Sequence, residues 1–263
     1  MNGVLGAGVL HQEAAANRFT LARHEPAADL AAFVDFCWVI RWDLTGQPPH
    51  EQSILPHPNV NLAFEDSGAA VYGVDTKIFT RRLTGTGKAL GVRFRPGGFR
   101  PFFGAPVSTL NDRVVPASDI FGPAAGPALQ RVMAAALDDA MIDCASALLR
   151  RAAPGPDPVA DQVAHIVATI TADPALCRVG ELAAAFGIPE RRLQRLFADY
   201  VGVSPKWVMR RARLHEVALR ADAGDVVDWA GLATDLGYAD QAHLTRDFTA
   251  TLGVPPSRYA ARR

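Results

Sequence analysis

Arg191, Gln194 and Arg195 stand at i, i+3 and i+4, so any helix that carries them presents all three on one face. A guanidinium offers paired donors to the edge of guanine, and a glutamine amide can pair with adenine. That face has the chemistry of base reading. Its surroundings are cationic: from Pro189 to Arg220 eight basic residues (Arg191, Arg192, Arg195, Lys206, Arg210, Arg211, Arg213, Arg220) stand against Glu190, Asp199 and Glu216. The local excess is five positive charges in a chain whose formal total is zero. A lone helix with three arginines reads more readily as a solvated face, so the residues that surround it decide its role.

The surroundings are written twice. The first copy reads Leu182-Ala183, Gly187, Leu193, Arg195, Phe197, then Gly202-Val203-Ser204-Pro205. The second reads Leu232-Ala233, Gly237, Leu244, Arg246, Phe248, then Gly253-Val254-Pro255-Pro256. The offset is 50 residues before the turn and 51 after it, as one extra residue in the second turn requires. Val179, Leu182, Ala183 and Phe186 form the stripe of an amphipathic helix. Gly187 can end it in a left-handed conformation, and Pro189 suits the first turn of the next. Leu193, Leu196 and Phe197 give that second helix its apolar face, and Gly202 ends it. Trp229, Leu232, Ala233 and Leu236, then Gly237-Tyr238, then Leu244 and Phe248 repeat the pattern. Each copy is a helix-turn-helix.

Ser204 as N-cap and Pro205 at the first position open a helix that nothing breaks before about Ala221. Val208, Ala212 and Leu214 through Leu219 supply its buried positions. It spans roughly 25 Å. With the turns at its ends it would hold two reading helices about one duplex turn apart, roughly 34 Å.

With those residues in place, together with Arg213-Leu214, Tyr238 and Tyr259, the last hundred or so residues resemble the double helix-turn-helix domain of the AraC/XylS transcription regulators. The resemblance implies base-reading positions at Arg191, Gln194 and Arg195 in the first unit and at Gln241, His243, Thr245 and Arg246 in the second. It implies phosphate contacts at Lys206, Arg210, Ser257 and Arg258. Promoter DNA is the implied partner, with RNA polymerase, a small-molecule effector and a second copy of the chain as further candidates. Val217 departs from the family's usual Ala. From residue 221 onward, Arg246, Arg258, Arg262 and Arg263 face Asp222, Asp225, Asp228, Asp235, Asp240 and Asp247, an excess of two negative charges. Because phosphate neutralisation drives much of such binding, the first unit is expected to carry most of the affinity.

The elements that must position these helices come earlier. At 263 residues two domains are expected, and the 49% hydrophobic and 21% charged content is that of an ordinary globular protein. Cys37, Cys144 and Cys177 are scattered and odd in number, which argues against a disulfide framework and for a reducing compartment. No leader or membrane span is legible, so a cytoplasmic protein without membrane contact is expected.

Residues 1 to about 20 read as a loose start. Short β-rich runs then follow at 36–40, 60–64, 70–72, 77–79 and 90–94, separated by turn signals at 46–49, 66–68 and 85–87. Asp29 to Phe36 is alternatively read as a helix leading into the first strand. Ala- and Leu-rich stripes over 123–152 predict a helical hairpin that buttresses the strands or forms a dimer surface. Ala153-Pro154-Gly155-Pro156-Asp157-Pro158 is a stiff linker. The fold class is therefore α+β. A β-rich barrel or sandwich with a helical hairpin occupies 1–152, the linker 153–158, and the all-α double helix-turn-helix 159–263. Ile54-Leu55-Pro56 and the 92–98 run resemble the poorly characterised N-terminal domains that accompany AraC-type units.

Other chemistries are weaker. His50, Glu51 and His57 are metal-ligand types, as in cupin barrels, but their proline-rich setting favours surface polar residues. The glycine amides of Arg93 to Arg100 suit an anion cradle or a plain turn. Trp38, Trp42, Phe64, Tyr72 and Phe94 are pocket candidates or core. A repair methyltransferase would need a cysteine-rich zinc cluster, which the spacing does not supply. No cofactor, bound metal or catalytic residue is expected. The leading reading is a one-component transcription regulator; a cupin-type or repair enzyme fused to a DNA-binding unit, and a protein-interaction module that has lost DNA binding, are the alternatives.

Overall fold

A computed structural model describes residues 8–11, 17–152, 154–223 and 227–261. Part of the loose start, Ala153 of the linker, and the charges of Asp225, Arg262 and Arg263 lie outside the described residues.

Alternating side chains build the first half. Its strands are β1 (Thr20–His24), β2 (Val34–Asp43), β3 (His50–Ile54), β4 (Asn61–Glu65), β5 (Gly68–Tyr72), β6 (Phe79–Leu83), β7 (Thr86–Phe94) and β8 (Val114–Pro116). Six form an antiparallel sheet in the order β1-β2-β7-β4-β5-β8, and β3 pairs with β6 in a second sheet. The arrangement is sandwich-like, without closure into a barrel. On one face of the larger sheet Cys37, Val39, Leu62, Phe64, Leu90 and Val92 are buried in the main core. Residues of the opposite parity, led by Trp38 and Trp42, face the gap toward the smaller sheet.

Three strands escape the hydrophobic pattern. β1 is half exposed, β8 is three residues long, and β3 (His-Glu-Gln-Ser-Ile) is polar because it belongs to a two-stranded edge sheet. The helix considered for Asp29 to Phe36 is only a 3-10 turn at Ala28–Leu30 before β2 begins.

Short helices α1 (Arg100–Phe103) and α2 (Ser118–Phe121) lead to a hairpin of α3 (Ala125–Ala134) and α4 (Asp138–Ala152). The hairpin buttresses the larger sheet. Ala128, Val132, Met141, Ala145 and Leu149 enter the core, and Asp138 holds His24 at 2.9 Å and Arg41 at 2.5 Å. The 97–98 turn is a packing device: a Cβ on Gly98 would stand 2.3 Å from the Phe33 carbonyl oxygen. One on Gly97, at φ +87°, would stand 2.9 Å from the carbonyl oxygen of Ala160.

The second half comprises α5 (Pro158–Ala172), α6 (Val179–Ala185), α7 (Glu190–Tyr200), α8 (Pro205–Asp222), α9 (Trp229–Asp235), α10 (Gln241–Leu252) and α11 (Pro256–Ala260). Asp157 caps α5, accepting from the amides of Val159 and Ala160 at 2.9 and 3.3 Å. It also accepts a hydrogen bond from Tyr200, at the end of α7. Core packing runs without a break from the sheet through α4 and α5 to Leu193, Phe197 and Val208. The second unit has its own core around Leu214, Leu232, Leu244, Phe248 and Tyr259, which Leu10 and Leu55 of the first half join.

Candidate nucleic-acid interface

The two turns are made by the same bonds. Gly187 has φ +60° and Gly237 φ +69°. The amide of Ile188 reaches the Ala183 carbonyl at 2.9 Å, and that of Tyr238 reaches the Ala233 carbonyl, also at 2.9 Å. Behind each glycine the helix C-terminus is satisfied in the same way, so each pair of helices leaves its turn through the same backbone conformation. α7 and α10 also end alike, at Gly202 (φ +97°) and Gly253 (φ +78°).

Each second helix buries one face and exposes the other. Leu193 and Phe197 of α7, and Leu244 and Phe248 of α10, are completely buried. Arg191, Gln194, Arg195, Gln241, His243 and Arg246 are exposed, whereas Thr245 is half-buried. Among the described residues no hydrogen bond or ion pair engages the side chains of Arg191, Gln194, Arg195, Gln241 or Arg246. His243 differs: its ring Nδ1 lies 3.5 Å from the Ala239 amide and packs edge-on against Tyr238. Asp240 caps α10, accepting from the His243 amide at 2.6 Å.

Lys206, Ser257 and Arg258 are exposed, on the first turns of α8 and α11. Arg210 is tied down. Its Nε meets Asp247 Oδ1 at 2.5 Å and its Nη2 donates to the Thr251 hydroxyl at 3.2 Å, while Tyr238 donates to the other oxygen of Asp247 at 2.9 Å. This network braces α8 against α10. Asp247 and burial hold the Tyr238 hydroxyl far above its ordinary pKa, burial being the larger cause.

The count of positive charge changes accordingly. Arg211 is 4% exposed and donates to the Thr76 carbonyl of the first half at 2.9 Å. Burial above all, and then neighbouring Arg210, lower its pKa to about 10. Arg213 lies over the Tyr238 ring at 4.4 Å, and Arg220 pairs with Glu216 at 2.7 Å. Three of the eight bases are thus engaged inside the fold and the exposed Arg220 is tied to Glu216 on its surface, leaving Arg191, Arg192, Arg195 and Lys206 outward. Four acids of the second unit are also engaged: Asp228 and Asp240 cap helices, Asp222 accepts from Tyr259, and Asp247 pairs with Arg210, while Asp235 is exposed. Arg211 was legible in principle, since it falls midway between Val208 and Leu214 on the buried stripe of α8.

Residues 182–262 match the family model described as a helix-turn-helix domain, a span that takes in both turns, α7, α10 and the brace between them. The second half is an AraC-type DNA-binding domain. The protein is a DNA-binding transcription regulator. Residues 22–116, ahead of the AraC-type domain, match a domain of unknown function, DUF6597. No curated protein sequence matches the chain. Among solved structures, the C-terminal domain of AraT, a response regulator from Geobacillus stearothermophilus, is 17% identical. The match covers 41% of this chain and 87% of that one at a TM-score of 0.37. ToxT from Vibrio cholerae O395 is 11% identical, over 93% of this chain and 98% of that one, at a TM-score of 0.42. Wild-type ToxT with a bound unsaturated fatty acid is 11% identical, over 92% and 91% of the two chains, at 0.41.

Beside the AraC-type domain, the first half encloses a cavity of about 240 Å³ between its two sheets. Trp38, Trp42 and Tyr72 line it. Phe64 and Phe94, the other aromatic pocket candidates, have the opposite parity and are fully buried in the core. His57 lines both this cavity and a second cleft of about 180 Å³ where the first half meets α8. Its ring stacks on that of His215 in α8, centroids 3.9 Å apart. His50 is elsewhere, on β3 at 3.2 Å from Gln52. His50, Glu51 and His57 are not brought together, and among the described residues no three His, Cys, Asp or Glu side chains form a metal-sized group. No described helix is long and apolar enough to cross a membrane.

Proposed function

We propose that the chain is a one-component regulator in which α7 and α10 enter neighbouring major-groove segments of a promoter. Arg191, Gln194 and Arg195 read bases from the first helix, and Gln241, Thr245 and Arg246 from the second, with His243 held closer to its own turn. Lys206, Ser257 and Arg258 contact phosphates. Arg210 serves first as the brace between the units. The observation that carries the reading is the pair of matched turns, each presenting a helix whose polar face is outward and uncommitted.

The half before the 153–158 linker acts as an effector-sensing domain, and the half after it as the reader. The cavity and α8 share His57 as a common wall, so a ligand that favours one position of the 55–58 segment biases the position of α8. A second copy of the chain and RNA polymerase are the further partners of this reading, in the cytoplasm. Enzymatic activity is not part of it. Burial pushes the Cys37 thiol up to about 11, the opposite of an activated nucleophile.

The test is genomic footprinting in the host cell. Wild type should protect discrete promoter sites, and the Arg191→Ala/Arg195→Ala double variant should lose them at equal expression. Identical footprints for the two proteins would sink the reading.

A further inference from the structure

The floor of the inter-sheet cavity is built by an exchange of side-chain volume between two strands. Trp38 pairs with Gly91 across β2 and β7, and Trp42 with Gly87. A Cβ on Gly91 would lie 2.0 Å from the Trp38 indole, and one on Gly87 2.3 Å from that of Trp42. The missing side chains let both indoles lie flat over β7. They give the cavity a broad apolar floor, which Leu21 and Ile40 extend.

One end is different. Phe36 lies between Arg23 and Arg93, whose guanidinium carbons stand 4.5 and 5.0 Å from its ring centroid. Both arginines line the cavity. Arg93 donates through Nη2 to Asn59 at 2.7 Å. Its Nε lies 3.2 Å from Asp35 in charge contact, but off the line of a hydrogen bond, so this buried donor is unmet. Burial lowers the Arg93 pKa to about 10, Asp35 opposes that, and Arg23 adds repulsion. Asp35 itself is 42% exposed, on the β2 bulge, and does not line the cavity.

The rest of the lining is close to balanced. Glu65 pairs with Arg81. The carboxyl of Asp75 is held above its usual range by burial and then by Asp112, which favours its neutral form. Two guanidiniums, both set against Phe36, thus stand at one end of the cavity, and Asp35, the carboxylate in contact with Arg93, is half-exposed and outside the lining. An unmet buried donor beside a like charge is costly, and an anion of the right shape relieves both terms.

We propose that this cavity binds a small organic acid with a flat apolar body: an aryl or arylalkyl monocarboxylate. The carboxylate sits beside Phe36 at the Arg23–Arg93 end of the cavity, and the ring lies on Trp38 and Trp42. The volume, below the roughly 300–1,000 Å³ of drug-sized pockets, limits the body to one ring or a fused pair with a short arm. The proposal rests on the sensor reading of the first half and names the chemistry that reading lacks.

The experiment uses the full chain and calorimetry with benzoate, 3-phenylpropanoate and indole-3-acetate, each beside its alcohol analogue. At least one acid should bind saturably, and its alcohol at least tenfold more weakly. Arg93→Gln and the more exposed Arg23→Gln should each weaken the acid tenfold or more and leave the alcohol unchanged. Equal binding of acid and alcohol, indifference of the acid to both substitutions, or no saturable binding by any acid would overturn the proposal. A gel shift without ligand, on the same preparations, separates the outcomes. Intact DNA binding with no acid bound defeats this inference alone, whereas loss of DNA binding by wild type defeats the regulator reading.

Discussion

The imidazole of His57 lies 13° from parallel to that of His215, with 3.9 Å between ring centroids, so a loop of the first half rests directly on α8, the helix that joins the two helix-turn-helix units. His215 Nε2 is also 3.2 Å from the Pro56 carbonyl oxygen. Burial, opposed in part by that contact and reinforced by Arg211 and Arg93, lowers the His215 pKa to about 3. The ring is neutral in the folded protein at any physiological pH.

A pH dependence follows from that burial. The unfolded chain protonates His215 near its ordinary pKa of about 6.5, while the folded chain resists until pH falls to about 3. Between those values the unfolded state binds the extra proton, so stability falls as pH falls and is flat above about 6.5. Going from pH 7.5 to pH 5 should cost about 2 kcal/mol through this residue. Urea melts of wild type and His215→Gln at the two pH values should show the variant losing that much less. An equal loss in both proteins would mean that His215 is not buried as described.

Arg195→Ala should weaken operator binding by about 1–3 kcal/mol and relax preference at one base pair. Its side chain is exposed and engages no described partner, so the melting temperature should not move. Fluorescence anisotropy with the operator and its single-base variants reads both effects.

Much of this reading apparatus was legible because its signals are local. A glycine that must take positive φ, at 187 and again at 237, and an apolar stripe at helical spacing need no knowledge of distant residues. The first half was less legible for the opposite reason. β3 is polar, β1 is half exposed, and both are strands only because β6 and β2 pair with them. Charge was the least transparent quantity. Arg210, a phosphate contact by family resemblance, meets Asp247, and of its neighbours in the basic run Arg211 meets the Thr76 carbonyl and Arg213 the Tyr238 ring. Parity along the strands did carry information, since it alone separates Trp38 and Tyr72 in the cavity from Phe64 and Phe94 in the core.

Lys206 and Arg210 should therefore part company in salt. Lys206→Ala should reduce the slope of log affinity against log salt by about 1, the signature of one lost phosphate contact. Arg210→Ala should leave the slope unchanged and lower stability instead, by about 1–3 kcal/mol, because Asp247 loses its cation. Salt-titrated anisotropy and a urea melt on each variant check the pair. A slope that falls for Arg210→Ala would return it to the phosphate-binding set.

Gly91→Ala should destabilise the first half through overpacking, by about 1–3 kcal/mol, since the added methyl meets the Trp38 indole. Gly187→Ala should cost a similar amount, about 1–2 kcal/mol, by a different route. Open space surrounds that position, so only the positive φ resists the substitution. Indole fluorescence should shift in the first variant and not in the second.

Selection of bound DNA from a random pool shows whether α7 and α10 read one duplex together. Wild type should enrich sequences with two constrained segments whose centres lie about one helical turn, 10–10.5 base pairs, apart. Arg195→Ala should relax a position in one segment, and Arg246→Ala a position in the other. A single constrained segment that responds to Arg195→Ala alone would contradict the account.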